Sequence, residues 1–167
     1  MKFEMWVSLA GAVIILVIVA WVLALLATRH RPAQGGTAKE GVIVDGSNVM
    51  HWGGDPSVKA LQAVIGSLIA RRLEPFVVFD ANVGYKLSDR YLDDAPMAEM
   101  IGLSADRVLV VEKGVSADER ILAMAREHDA CVVSNDRFRD WTVKHPWVRK
   151  KGRMMRGTYR NGAVKWQ

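Results

Sequence analysis

The stretch Val42-Ile43-Val44-Asp45-Gly46-Ser47-Asn48 decides the fold class, because a short apolar run ends directly in an acidic residue, a glycine and two polar residues. Two later stretches repeat this arrangement. Phe76 to Phe79 is followed by Asp80, and Cys131 to Val133 is followed by Ser134-Asn135-Asp136. Short apolar runs that alternate with helical patterns indicate βαβ units and a mostly parallel sheet. We therefore predict an α/β domain whose acidic residues follow the carboxyl ends of its strands.

Helical patterns fill the intervals between these strands. Asp55-Pro56 is typical of a helix start, and apolar residues recur with helical period as far as Arg72. Ser116-Ala117-Asp118-Glu119 has the form of a capping box and predicts a helix that ends near His128. The remaining predictions are a helix over Asp89 to Ile101, a strand over Arg107 to Val111, a helical turn over Arg137 to Trp141, and a hairpin at Asn161-Gly162 between Tyr159 and Val164.

The acidic residues at these strand ends should meet at one edge of the sheet. Open α/β sheets bind ligands outside the carboxyl ends of their strands, at a topological switch point. Asp45 and Asp136 end two strands, and Asp118 opens a helix that faces them. Converging carboxylates repel one another, and hard oxygen ligands suit Mg²⁺ or Mn²⁺. We predict that Asp45, Asp118 and Asp136 bind such a metal, Asp118 directly or through water.

Four motifs together resemble a known family, the NYN/PIN-like ribonuclease domains, and in particular the Regnase-type enzymes. They are Val44 to Val49, Asp118-Glu119-Arg120, Val132 to Asp140 and Met154 to Gly162. Val78 to Ala81, with Ser116 to Glu119, is closer to bacterial NYN proteins, so the subfamily stays open. The resemblance covers Gly41 to about Trp166.

The resemblance implies a PIN-like three-layer α/β/α fold and a metal-dependent endoribonuclease. The matching acidic site consists of Asp45, Asn48, Asp118 and Asp136, with Asp140 as a fifth member. Asp80 and Glu119 are additional candidates that ordinary local structure also explains. Asp80 suits a strand-end turn, and Glu119 suits a capping box in a first helical turn, where acidic residues are favoured. Ser47 and Ser134 are expected to bond the loops rather than attack a substrate.

Basic residues are concentrated at the carboxyl-terminal end of the chain. Residues 141–167 hold eight Lys or Arg and no acid, whereas residues 28–140 hold fourteen basic and seventeen acidic side chains. Cations interleaved with Trp141, Trp147, Tyr159 and Trp166 suit single-stranded RNA, although anionic lipid is an alternative partner. The predicted RNA-binding residues are Arg137, Arg139, Lys144, Arg149, Lys150, Lys151, Arg153 and Arg156.

An uncharged apolar segment, Met5 to Ala27, precedes the predicted domain. Twenty-three residues at about 1.5 Å each span about 34 Å, enough for one transmembrane helix. A cleaved signal peptide is the alternative, which the long apolar run and the poor cleavage site at Leu25-Leu26-Ala27 disfavour. Arg29 and Arg31 follow the segment and only Lys2 precedes it among cations, so we predict a single-pass anchor in the cell (inner) membrane with a cytoplasmic domain. The predicted organisation is an anchor over residues 1–27, a linker over 28–40 and a ribonuclease domain over 41–167. One cysteine excludes an internal disulfide and agrees with a reducing compartment.

Two other classes of function compete with a nuclease. A catalytically inactive NYN-like module would tether RNA or a protein at the membrane, which the complete set of acidic residues disfavours. A haloacid-dehalogenase-type phosphatase needs a second acid two residues after the first, and Ser47 stands there. No P-loop, dinucleotide-binding glycine pattern or zinc-spaced Cys/His cluster occurs. A homodimer that completes an RNA groove is left open.

Overall fold

The computed structural model describes residues 40–167, which form a parallel sheet covered by helices on both faces. The predicted anchor, Met5 to Ala27, lies outside these residues. Within the described part of the chain, no helix is long and apolar enough to cross a membrane. The strands are β1 Glu40–Asp45, β2 Leu73–Phe79, β3 Val108–Val110, β4 Cys131–Val133, β5 Met154–Met155, β6 Gly157–Arg160 and β7 Ala163–Trp166. The helices are α1 Gly46–Val49, α2 Val58–Ala70, α3 Val83–Ser88, α4 Asp94–Ile101 and α5 Ala117–Glu127.

The five-stranded sheet has the order β3-β2-β1-β4-β5, and every neighbouring pair is parallel. Strand β1 lies at the centre, with Val44 paired to Val77 on one side and to Val133 on the other. The chain first adds β2 and β3 on one side of β1 and then returns to add β4 on the other. The topological switch point therefore lies between β1 and β4, where parallel sheets bind ligands.

Alternation along β1 divides its side chains between two cores. Val42 and Val44 are buried with α2 and α4, whereas Ile43 is buried with α5. Helices α2 and α5 thus cover opposite faces of the sheet. The predicted three-layer α/β architecture with a mostly parallel sheet is confirmed.

Several local predictions differ from the structure at helix starts. The cap of α2 is Ser57, whose Oγ accepts a hydrogen bond from the Ala60 amide, so the predicted start at Asp55 is wrong. The single helix predicted over Asp89 to Ile101 is α4 alone, preceded by the unpredicted α3. Asp89 ends α3 in the left-handed conformation. By contrast, Ser116 caps α5 as predicted.

The carboxyl-terminal hairpin packs against the domain instead of extending from it. Asn161 and Gly162 both have positive φ, as a two-residue hairpin turn requires, and this prediction is confirmed. Trp166 donates from its indole Nε1 to Ser67 Oγ at 2.9 Å and meets Trp52 edge-on at 5.8 Å. Arg71 also lies over the ring, 4.8 Å from its centroid, so Trp166 is part of the packing.

Gly46 begins α1 directly below the ring of Phe79, and a Cβ placed there would overlap that ring. Phe79 is fully buried, so the ring has little room to move. We expect Gly46→Ala to destabilise the fold by about 1–3 kcal/mol through overpacking. Gly66→Ala is the matched control, because Gly66 lies inside α2 with nothing within 4 Å of the new methyl. It should stabilise by about 0.5–1 kcal/mol. Urea denaturation measures both, and equal effects would contradict the predicted contact.

Candidate active site

The predicted acidic residues gather at the carboxyl edge of the sheet. Asp45 ends β1, Asp80 follows β2 and Asp136 follows β4. Asp118 lies in the first turn of α5, and this helix packs on the face of the sheet across β1. These positions surround the switch point that the strand order defines.

Asp45 is buried, with 5% of its surface exposed. Its Oδ1 accepts from the Asn48 amide at 3.0 Å, and its Oδ2 accepts from Ser134 Oγ at 2.8 Å. Burial is the main cause that raises the pKa of Asp45 to about 6, and the charges of Asp118 and Asp80 raise it further. The two hydrogen bonds oppose that rise without cancelling it. A carboxylate is therefore held in place where ionisation is costly.

Burial and neighbouring negative charges also act on Asp118, which lies on α5 and not at a strand end. Its pKa is raised first by burial and then by the charges of Asp136, Asp80 and Asp140. The Trp141 indole N–H donates to it and lowers the pKa in part. The five aspartates Asp45, Asp80, Asp118, Asp136 and Asp140 are thus linked electrostatically, as the sequence predicts for four of them and leaves open for Asp80.

Asp136 is exposed to solvent at the tip of the loop after β4. Its backbone amide donates to Ser134 Oγ at 3.0 Å, and its Oδ1 accepts from the Phe138 amide at 2.6 Å. Phe138 has a φ of 47° and is buried, so it anchors this turn in the core. The turn Arg139–Trp141 that follows carries Asp140, which is also exposed.

Asn48, a predicted site residue, uses its side-chain oxygen for contacts within the protein. Its Oδ1 accepts from Trp52 Nε1 at 3.0 Å and from the Asn135 amide at 2.9 Å. These bonds join α1 to the loop after β4. Asn48 is therefore a positioning residue that fixes Asp45 relative to Asp136. Ser47 acts similarly, because its Oγ accepts from the Asp80 amide at 2.9 Å and joins the ends of β1 and β2.

Asn135 is a functional position that the sequence reading missed. Its side chain donates to the Gly157 carbonyl at 2.8 Å and accepts from the Gly157 amide at 3.2 Å. Its own carbonyl accepts from Arg156 at 2.7 Å. The loop that carries Asp136 is thereby joined to β6 and to a predicted RNA-binding arginine. Its place in Ser134-Asn135-Asp136 was the available signal, but its partner lies 22 residues away.

Glu119 and Lys144 form an ion pair with each other instead of joining the acidic or basic groups. The Glu119 amide also bonds the cap residue Ser116. Ser116 is therefore the cap of α5, and the Glu119 carboxylate is engaged by Lys144 instead of completing a capping box. Lys144 is correspondingly less available to RNA than predicted.

Five of the predicted RNA-binding residues line one pocket beside the acidic edge. The pocket has a volume of about 370 Å³ and no acidic residue in its lining. We call it the basic pocket, and its cations are Arg137, Arg149, Lys150, Lys151 and Arg156. Arg137 follows Asp136 directly, so the positive surface begins where the acidic site ends. Arg139 is exposed nearby, whereas Arg153 is paired with Asp129 elsewhere.

The possible ligand atoms at this edge suit a hard divalent cation. Every donor at this edge is an oxygen, and Mg²⁺ commonly retains several waters and binds only one or two carboxylates. Within residues 40–167, however, no three His, Cys, Asp or Glu side chains lie close enough to hold a metal directly. A direct three-carboxylate shell through Asp45, Asp118 and Asp136 is therefore not preformed. Asp136 and Asp118 are the more exposed of the three and the better placed for a sparse, water-rich shell.

A parallel sheet with aspartates gathered at its switch point defines an α/β domain with an acidic site at the carboxyl edge of the sheet. Residues 38–165 match the Zc3h12a-like ribonuclease NYN domain. The chain belongs to this family, so the predicted resemblance to NYN ribonucleases is confirmed. None of the curated proteins matches the chain.

Solved structures support the fold. Nuclear protein-only RNase P 2 (PRORP2) of Arabidopsis thaliana aligns with a TM-score of 0.59 at 20% identity, over 80% of this chain and 30% of that one. A second PRORP2 crystal structure aligns equally well at 18% identity, over 88% and 35%. The chain thus spans about a third of PRORP2. The PIN domain endonuclease Utp24 gives 0.40 at 18% identity, over 77% and 92%, too low to establish a shared fold.

The buried Asp45 carboxyl predicts a specific dependence of stability on pH. Its folded pKa of about 6 lies above the ordinary value of 3.8, so the folded chain binds more protons than the unfolded chain between these values. Without added metal, stability should therefore fall as the pH rises from about 4 to about 6 and stay low above that. Asp45→Asn should reduce this dependence to the part that the raised pKa of Asp118 contributes, and it should stabilise the chain in EDTA at pH 7 by up to about 3 kcal/mol.

Urea denaturation in EDTA across this pH range measures the effect. The exposed Asp55→Asn is the control and should leave the wild-type profile unchanged. A pH profile that Asp45→Asn leaves unchanged would contradict a raised pKa at Asp45.

Proposed function

We propose that the chain is a metal-dependent endoribonuclease that hydrolyses single-stranded RNA at the carboxyl edge of its sheet. The observation that carries the proposal is that a cluster of negative charges lies directly beside a cluster of positive charges. Five coupled aspartates surround the switch point, and the basic pocket begins at the residue after Asp136. The family match supports RNA as the substrate class.

The acidic residues divide into fixed and exposed members. Hydrogen bonds from Ser134 and from the Asn48 amide fix the Asp45 carboxylate, so this carboxylate keeps one position in the site. Asp118 and Asp136, with Asp140 nearby, would hold the cation together with Asp45, directly or through its waters. Mg²⁺ or Mn²⁺, when bound here, lowers the pKa of a coordinated water and neutralises phosphate oxygens. Both effects favour hydrolysis of a phosphodiester.

The basic pocket would position the polyanion beside this edge. Neutralising phosphates with Lys and Arg supplies most of the affinity for nucleic acid and makes binding depend on salt. Arg156 is held by the Asn135 carbonyl, so one cation is fixed relative to the acidic loop. RNA bound across Arg137 and Arg156 would thereby pass the carboxylates.

An RNA-binding module without catalytic activity is the second candidate. The observation that favours it is that, in residues 40–167, no three acidic or imidazole side chains converge closely enough for direct metal binding. Such a module would need the basic pocket but not the aspartates. The two functions are therefore separated by the acidic variants.

We expect the chain to cleave labelled single-stranded RNA with Mg²⁺ or Mn²⁺ and not with EDTA. Asp118→Asn and Asp136→Asn should each lower the rate by at least about a hundredfold, because metal binding and charge compensation at the phosphate are lost. Glu119→Gln is the matched control, since it neutralises the next residue of the same helical turn, which is paired with Lys144. It should retain activity within a few-fold. RNA that is bound but never cut with any metal would favour the tethering module.

We further propose that Met5 to Ala27 anchors this domain in the cell membrane with the domain in the cytoplasm. The uncharged length of the segment and the cations that follow it support this. The full chain should sediment with membranes after alkaline carbonate washing, whereas a chain beginning at Thr37 should be released. Protease added to the cytoplasmic side should degrade the domain. A full chain extracted by carbonate would refute the anchor and leave the nuclease proposal untouched.

A further inference from the structure

A second cavity lies at the opposite edge of the sheet from the acidic site. It has a volume of about 350 Å³, within the roughly 300–1,000 Å³ of small-ligand pockets. It lies between the end of α5, at Arg126, and the turn Pro146–Arg149. Arg126 is about 12 Å along the helix from Asp118 at 1.5 Å per residue. We call this cavity the far pocket.

The lining of the far pocket carries an excess of positive charge. Its ionisable residues are Arg126, Lys150, Arg153 and one acid, Asp129. The guanidinium of Arg153 donates to the Asp129 carboxylate at 2.5 Å and to its carbonyl at 3.1 Å, so the acid is neutralised and the arginine is fixed. Within residues 40–167, neither Arg126 nor Lys150 makes a side-chain hydrogen bond or ion pair. Two unpaired cations and one fixed arginine therefore surround the cavity.

Unpartnered polar groups lie in the same corner. Trp147 lines the pocket, and its indole N–H is buried without an acceptor. Its neighbour His145 is 4% exposed and has no hydrogen-bond partner at either ring nitrogen. The pKa of His145 is lowered by burial and then by the charges of Lys144 and Arg126, against an opposing effect of Glu119. These buried atoms lie beside the cavity but are not exposed to it, so the cations of the lining provide the contacts for a ligand, and the Trp147 indole serves as a nearby reporter.

We propose that the far pocket is a phosphate-binding site. Lys150 lines both the far pocket and the basic pocket, so the positive surface is continuous from Arg137 to Arg126. Two sources supply the phosphate. One is the backbone of an RNA that extends past the acidic edge, which rests on the proposed function, and the other is a free nucleotide.

The first measurement compares RNA length and site variants in the full chain, with Asp136→Asn present to prevent cleavage. Anisotropy reports the affinity for labelled single-stranded RNAs of increasing length. Affinity should rise once the strand reaches the far pocket, and Arg126→Gln should remove this rise, a loss of roughly tenfold for a charge-assisted contact. The salt slope for long RNA should fall by about one. Arg126→Lys should retain most of the rise. Arg90→Gln is the matched control, an exposed arginine in the segment that packs on the other face.

The second measurement adds AMP or inorganic phosphate and follows the ¹H–¹⁵N indole resonance of Trp147, assigned with Trp147→Phe. A shift that Arg126→Gln abolishes, with no dependence on RNA length, assigns the site to a free nucleotide. Equal behaviour of Arg126→Gln and Arg90→Gln in both measurements overturns the proposal. Cleavage of short RNAs by the chain without Asp136→Asn tests the proposed function separately, because short strands do not reach the far pocket.

Discussion

The hydrogen bond from Ser134 Oγ to the buried carboxylate of Asp45 is the interaction on which the site depends. It joins the carboxyl ends of β1 and β4 across the switch point, between residues 89 positions apart. The same hydroxyl accepts from the Asp136 amide, so one buried side chain orients both aspartates. A buried carboxylate without hydrogen-bond donors would destabilise the folded chain. The bond from Ser134 stabilises the ionised form and so limits how far burial raises the pKa of Asp45.

Two further bonds extend this network across the edge of the sheet. Ser47 Oγ accepts a hydrogen bond from the amide of Asp80, which follows β2. Asn48 Oδ1 accepts a hydrogen bond from the amide of Asn135, in the loop after β4. Asn135 in turn pairs with Gly157 at the start of β6. The loops that carry Asp80 and Asp136 are therefore each tied to β1 or α1 through a neutral side chain. These bonds hold mutually repelling carboxylates at one edge of the sheet.

Patterns local in sequence predicted most of the fold, and contacts distant in sequence account for what they missed. Buried runs ending in Asp45, Asp80 and Asp136 were sufficient for the parallel sheet and the acidic edge, because strand ends in such sheets necessarily meet. The cap of α2 was misplaced, since Asp55 and Ser57 are both good caps and packing chooses between them. The family resemblance placed Asn48 in the site, but spacing does not reveal that its acceptor oxygen is engaged by Trp52 and Asn135. Strand β5 has two residues and no periodicity to detect.

Because the negative and positive charges lie in separate clusters, such a site would bind RNA whether or not a metal ion is already present. An acidic edge alone repels a polyanion, and a basic surface alone binds it without chemistry. Here Arg156 donates to the carbonyl of Asn135, the residue before Asp136, so one cation is fixed directly beside the loop that carries this carboxylate. The Glu119–Lys144 pair removes one charge of each sign from this boundary. At the boundary itself, Asp136 and Arg137 are adjacent in sequence, so the carboxylates lie on one side of it and the cations of the basic pocket on the other.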